Sequence, residues 1–262
     1  MPELPDLTIY AKNLRKLVQG KDITSANVFN LSKVNATADA FAKALVGSQI
    51  ISIERNGKEL FFSLSNHKVF SVHLMLNGKF TYMSMDEVHG IFSKIICIGF
   101  ADGQALVVTD FKGMCKVTLS PPRVTVPDAM DPAFTFEYFQ RMTRLKSSMN
   151  IKALLIDQRI VRGIGNAYVD EILWKADISP KSTAGKIPVE NLRVLYDAIH
   201  WVLEDAIEQI ERISPDIISG EERGFLRVHN PKKKTTDDGE PILCEEVARK
   251  RTYYTQKQRV FL

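Results

Sequence analysis

A change of texture near residue 120 constrains this chain more than any other feature. From Ile50 to about Leu119 the sequence consists of short β-branched and aromatic runs. Asn56-Gly57, Asn77-Gly78 and Asp102-Gly103 separate them, and each dipeptide favours the tight turn of a β-hairpin. From Phe134 to about Ile213 the apolar residues instead recur at helical spacing. Ile151, Leu154 and Leu155 form one stripe, and Leu192, Leu195, Ile199, Val202 and Ala206 form a longer one. The stretch 120–132 between the two textures contains four prolines and reads as a linker. A period of two followed by a period of 3.6 implies separate layers, so the expected class is α+β.

Two helical stretches precede the strands. Leu7, Tyr10, Leu14 and Leu17 fall on one helical face, and Gly20 supplies a stop. A second helix is expected over 38–46. The strands are then expected to form a two-layer β-sandwich or flattened barrel, with the first helix packed at its edge. The segment from about Phe225 holds Lys232-Lys233-Lys234, Asp238-Gly239 and a β-type run, Arg251 to Thr255; a long hairpin is the simplest reading. The expected parts are 1–122, 133–224 and 225–262.

Composition narrows the function classes. A chain of 262 residues, 45% of them hydrophobic, can bury a proper core. It contains no long apolar run and no signal peptide, so a soluble cytoplasmic protein is expected. The three cysteines, Cys97, Cys115 and Cys244, form no CxxC pair; their number excludes a disulfide framework and a four-cysteine metal site. The net charge of +4 is modest, but from Arg227 onward nine Lys/Arg face five Asp/Glu, so the tail carries the whole excess. A basic tail on a balanced body suits a polyanion such as nucleic acid, and equally a solvated C-terminus.

The N-terminus carries the sharpest chemistry. Removal of Met1 would leave Pro2 with a secondary amine. A terminal amine titrates at about 8, against about 10.4 for lysine, so more of it is an unprotonated nucleophile at neutral pH. Glu3 follows at once as a proton-transfer group. Amine plus acid is the apparatus for Schiff-base chemistry at a sugar or carbonyl carbon, although Pro5-Asp6 equally suits a helix start. Further along, Gly163-Ile164-Gly165-Asn166 lies between two helical stretches. Glycines let a backbone approach a phosphate, and a helix N-terminus offers N–H groups to it. Asn166 could instead cap the helix.

Met1-Pro2-Glu3-Leu4-Pro5-Asp6 resembles the start of the bacterial formamidopyrimidine-DNA glycosylase/endonuclease VIII family, where the terminal proline is the nucleophile. Asp6 is one methylene shorter than the family's second acid. The block Ile151-Lys152-Ala153-Leu154-Leu155-Ile156-Asp157 through Gly163-Ile164-Gly165-Asn166-Ala167-Tyr168-Val169-Asp170-Glu171 resembles the family's helix–two-turn–helix. The resemblance gives Asn166 a contact to the DNA backbone and Glu171 a part in holding the nucleophile's surroundings. It gives Lys58 the phosphates flanking a flipped nucleotide, and Leu76, in His73-Leu74-Met75-Leu76-Asn77-Gly78, the wedge that fills the vacated space. Lys112 and Met114 stand where relatives carry a void-filling Arg and Phe. Relatives also carry CxxC…CxxC around a terminal hairpin. Here only Cys244 remains, beside the basic run Arg249, Lys250 and Arg251, which is similar to the family's zincless-finger branch. Arg251, or else Lys250, is the expected phosphate ligand.

The resemblance implies a bifunctional DNA glycosylase and AP lyase. It would excise oxidised bases from damaged double-stranded DNA as a monomer, with no metal, no diffusible cofactor and no membrane partner. DNA would lie in a cleft between the domains. The short Ile213–Arg227 connection tilts the substrate toward oxidised pyrimidines. Two alternatives stay open: a catalytically silent lesion-binding or abasic-site-binding protein on the same scaffold, and an RNA- or ribosome-associated protein, which leaves Pro2-Glu3 unexplained.

Overall fold

The computed structural model describes residues 1–262 and divides into two compact units. The first comprises Met1–Val124 and Ile210–Glu221, the second Thr125–Gln209 and Glu222–Leu262.

The first unit opens with α1 (Leu4–Val18). Pro5 sits in its first turn, where a missing N–H leaves nothing unpaired. Leu7, Tyr10 and Leu14 bury one face, and Arg15 and Lys16 complement the dipole in the last turn. Thr37 caps α2 (Ala38–Leu45) through its hydroxyl, which accepts the Ala40 N–H at 3.2 Å.

Eight strands follow the order β1 (Ile23–Val28), β2 (Ile50–Asn56), β3 (Glu59–Leu64), β4 (Val69–His73), β5 (Lys79–Ser84), β6 (Lys94–Phe100), β7 (Gln104–Thr109) and β8 (Lys116–Leu119). They build two four-stranded sheets, β1-β6-β7-β5 and β2-β3-β4-β8, with every strand pair antiparallel. Both sheets contribute to one core. Phe62 of β3 stacks on Phe70 of β4 at 4.6 Å and meets Phe80 of β5, from the other sheet, at 6.1 Å. The arrangement is the sandwich that alternating burial demands.

One turn departs from expectation. Asn56-Gly57 and Asp102-Gly103 lie between strands that pair, β2 with β3 and β6 with β7. Asn77-Gly78 does not make a hairpin: β4 pairs with β3 and β8, whereas β5 pairs with β7. Asn-Gly encodes a reversal of direction, but pairing also needs the flanking strands in one sheet. Here the turn carries the chain from one layer to the other. Gly78 is required there, because a Cβ would lie 2.4 Å from the carbonyl oxygen of Leu74.

The second unit contains α3 (Phe136–Leu145), α4 (Ile151–Ile156), α5 (Asn166–Lys175) and most of α6 (Val189–Ile213). Its terminal hairpin is shorter than the sequence suggested, β9 (Leu243–Val247) against β10 (Lys250–Tyr254). Lys232-Lys233-Lys234 and Asp238-Gly239 precede it in turns closed by a Thr235–Pro241 bridge. Asp-Gly again marks a local reversal, here inside the loop and not at the hairpin tip. No helix is long and apolar enough to cross a membrane.

Candidate functional site

In the first unit, the start of α1 fixes the two residues singled out at the N-terminus. Glu3 is the N-cap, and Asp6 Oδ2 accepts its backbone N–H at 2.8 Å; the reciprocal bond completes a capping box. Pro2, Glu3 and Asp6 are all buried. The shorter acid at position 6 therefore has a use of its own, since Asp closes this box.

Pro2 lines a cavity of about 190 Å³ together with Leu76, Asn77, Gly78, Lys79, Gly220 and Glu221. Leu76 is 51% exposed at the tip of the turn between sheets, unlike the buried Leu74 beside it. The turn is held by Gly78, whose N–H donates to the Leu74 carbonyl at 2.8 Å, and by His73, whose Nδ1 accepts the Met75 N–H at 3.1 Å. That acceptor role needs a neutral imidazole. Burial supplies it by pushing the His73 pKa down, helped by Lys58 and Lys116 and opposed by Glu59.

The 214–221 segment brings Glu221 and Gly220 to this cavity, and sequence reading gave it no contact. Asn13 donates to the carbonyls of Pro215 and Ile217 at 2.8 and 3.0 Å, Tyr10 donates to Gly220, and Ser219 donates to Phe80 at 2.5 Å. The Met1 ammonium pairs with Glu221. No local pattern announces Glu221, because its partners lie about two hundred residues away along the chain.

Lys58 is one of the two loop residues, with Gly57, between the paired Asn56 and Glu59. It is 8% exposed. Arg55 ties the turn to α1 through Thr8 Oγ1 at 3.0 Å. Lys112 and Met114 belong to a loop organised by buried Asp110, whose carboxylate accepts the N–H groups of Lys112, Met114 and Cys115 at 2.9, 2.6 and 2.7 Å. The aromatic residue exposed on this loop is Phe111, at 69%, with the Lys112 ammonium 5.7 Å from its ring. Sequence reading passed over Phe111 by matching position 114.

In the second unit, Gln158 staples the two-turn. It donates to the carbonyls of Ile156 and Ile164, both at 2.9 Å, and accepts the Gly163 N–H at 3.0 Å. Gly163 has φ 99°, a conformation that favours glycine, and Gly165 is the N-cap of α5. Asn166 is thus the first helical residue and not the cap. Its amide donates to the Arg251 carbonyl at 2.9 Å, which joins two of the expected DNA ligands. Glu171 is fully buried and accepts the N–H groups of Arg227, Val228 and His229 at 2.9, 2.8 and 2.7 Å. Burial pushes its pKa up, against those three donors. Lys250 and Arg251 open β10 with exposed side chains.

The residues do not provide a four-cysteine metal site. Cys244 alone is in the hairpin, while Cys97 and Cys115 are buried in the sandwich. No group of three or more His, Cys, Asp or Glu is placed to hold a metal ion.

Two family models match the chain: the formamidopyrimidine-DNA glycosylase N-terminal domain over residues 1–117 and the formamidopyrimidine-DNA glycosylase H2TH domain over residues 126–215. The formamidopyrimidine-DNA glycosylase of Enterococcus faecalis is 35% identical over 218 residues, 79% of this chain and 77% of that protein. That of Carboxydothermus hydrogenoformans is 33% identical over 216 residues, with 79% and 78% covered. Among solved structures, Lactococcus lactis Fpg bound to DNA containing an oxidised pyrimidine superposes with a TM-score of 0.86 at 26% identity, covering 97% of this chain and 98% of that one. The same enzyme with abasic-site DNA gives 0.86 at 25% identity, with equal coverage.

Proposed function

We propose a reaction for this chain from the premise that it belongs to the formamidopyrimidine-DNA glycosylase family and is a DNA glycosylase with AP lyase activity, acting on damaged double-stranded DNA in base excision repair. In this reading residues 1–122 carry the nucleophile, 133–224 the helix–two-turn–helix and 225–262 a metal-free hairpin that reaches phosphates through Arg251.

With Met1 removed, the Pro2 nitrogen attacks C1′ of the flipped nucleotide. The C1′–base bond breaks, the base leaves with a proton, and the amine loses its own proton to give an aminal, which becomes the iminium when the C1′–O4′ bond breaks. Glu3 moves the protons that open the sugar ring. Loss of the C2′ proton then expels the 3′ phosphate, and a second elimination expels the 5′ phosphate. Hydrolysis of the remaining Schiff base returns Pro2. Lys58, Asn166 and Arg251 hold phosphates, Leu76 fills the space left by the extruded base, with Lys112 and Met114 beside it, and Asp6 and Glu171 keep the surroundings in place. Oxidised bases are the substrates, pyrimidines ahead of purines. The short Ile213–Arg227 connection supports that order, with Pro215, Ser219 and Gly220 fastened to Asn13, Phe80 and Tyr10.

The observation that carries the reading is that Pro2 and the exposed Leu76 line one cavity. Borohydride reduction of the processed protein on a duplex with one abasic site tests it. A covalent band lost in Pro2→Gly establishes the iminium, and a lesion panel then ranks the bases. An abasic duplex bound without a band favours the silent DNA-binding alternative. Retention of Met1 in the purified protein, read by mass spectrometry, would favour that alternative as well, because Pro2 would then be an amide.

A further inference from the structure

Lys152 is completely buried, as is its partner Asp170. An ammonium removed from water is tolerable only if its partners satisfy it, so those partners indicate what it is for. Lys152 Nζ donates to Asp170 Oδ1 and to Thr252 Oγ1, both at 2.7 Å, and reaches the Arg251 carbonyl at 3.4 Å. Asp170 Oδ2 accepts the Tyr253 N–H at 3.0 Å and lies 2.7 Å from His229 Nδ1. Asn166 adds its bond to the Arg251 carbonyl. Side chains from α4 and α5 therefore end on three successive residues of β10, and the first is the arginine expected to grip DNA.

The hairpin needs such support. Two five-residue strands are marginal alone. Ala248 and Arg249 at the tip both have positive φ, 52° and 59°, where the usual choice is Asn or Gly. Bound metal supplies the folding free energy of many small domains closed by four cysteines, but this chain lacks that donor set.

We propose that the Lys152–Asp170 pair, through Thr252 and the Tyr253 amide, is the device that fixes β10 on the helices. Lys152 and Asp170 are then positioning residues for Arg251, which deepens the function proposed above and rests on it. Apolar side chains would bury surface without specifying register, whereas these hydrogen bonds end on particular atoms of particular residues.

The test replaces the pair by apolar residues, Lys152→Met with Asp170→Leu, so that no charge is left stranded. Thr252→Val serves as a milder variant if the double one does not fold. Hydrogen exchange of the 243–254 amides, thermal denaturation and binding to a duplex with a tetrahydrofuran abasic analogue are measured across a salt series. The expected result is faster exchange confined to the hairpin. Affinity should fall roughly tenfold, and the slope of log K against log salt should shrink by about 1, the signature of one lost phosphate contact. The single-turnover rate at saturating enzyme should change far less than the affinity. Wild-type hairpin exchange, affinity and salt slope in both variants would overturn the assignment, whatever the melting temperature did. Failure of the wild-type chain to bind the analogue would sink the proposed function alone, because hairpin exchange still reports on the anchor.

Discussion

The carboxylate of Asp6 and the backbone N–H of Glu3 meet at 2.8 Å across the first turn of α1. The bond joins the cap of the helix to the residue assigned to proton transfer, one position from the proposed nucleophile. Local helix chemistry thereby sets the geometry of the proposed reaction centre. The residues before a helix are ordinarily among the least ordered of a chain, and here a capping box, buried on both sides, holds them.

Asp6→Ala removes one half of that box. The expected loss is about 1 kcal/mol of stability, the usual worth of a helix cap, read as a lower urea midpoint at unchanged m-value. Borohydride trapping should fall more than the stability loss explains, because Glu3 loses its backbone anchor. Trapping at the wild-type rate in a destabilised Asp6→Ala protein would show that the cap serves only the helix.

Leu76→Ala should separate function from folding in the opposite sense. Half of the side chain is exposed, so unfolding free energy should change by no more than about 0.5 kcal/mol. Excision from duplex should drop roughly tenfold or more, because a wedge acts only once the base has left the stack. Excision from a single strand, which has no stack to fill, should fall much less. Equal losses on the two substrates would remove the wedge role.

The contrast between Leu74 and Leu76 also shows what the sequence could and could not disclose. Both are leucines beside an Asn-Gly turn, and only the three-dimensional course of the chain buries one and exposes the other. Strand texture, helix stripes and caps were legible because each is written within a few residues. The reach of the Asn77-Gly78 turn was not, because strand pairing depends on β3, β7 and β8, far away in sequence. Asn166 was legible as a motif residue, but its bond to Arg251 spans 85 positions. Glu221, Gln158 and Phe111 escaped for related reasons. Their significance lies in what packs beside them, and no spacing rule records that.

His73 gives the wedge turn a pH dependence of definite sign. Burial lowers its pKa in the folded chain below the ordinary 6.5. The neutral ring is thus the stabilising form, fully effective above the unfolded value and lost as pH falls through the folded one. Stability should decline on acidification below about 6.5, as the protonated Nδ1 ceases to accept the Met75 N–H. His73→Asn keeps an acceptor near that position without a titrating group. Its denaturant midpoint should be flatter over the same range, and parallel curves for the two proteins would rule the ring out.

The cysteines supply an independent check on the sandwich core. Burial pushes the Cys115 thiol up to about 12, with the Asp110 charge adding to the effect, and burial also raises Cys97. Thiol reagents attack thiolates, so native protein at pH 8 should react at one site, the exposed Cys244, and at all three only in denaturant. The same shift sets a sign at alkaline pH. A thiol that ordinarily titrates at 9.0 and is held neutral in the fold adds stability below that value. The contribution is lost progressively as pH rises toward 12, because the unfolded chain ionises first. Cys115→Ala should remove that part of the alkaline decline while leaving a cavity beneath the Asp110 loop. Fast labelling of two or more thiols in the native state would mean that this loop opens, and with it the seat of Lys112 and Met114.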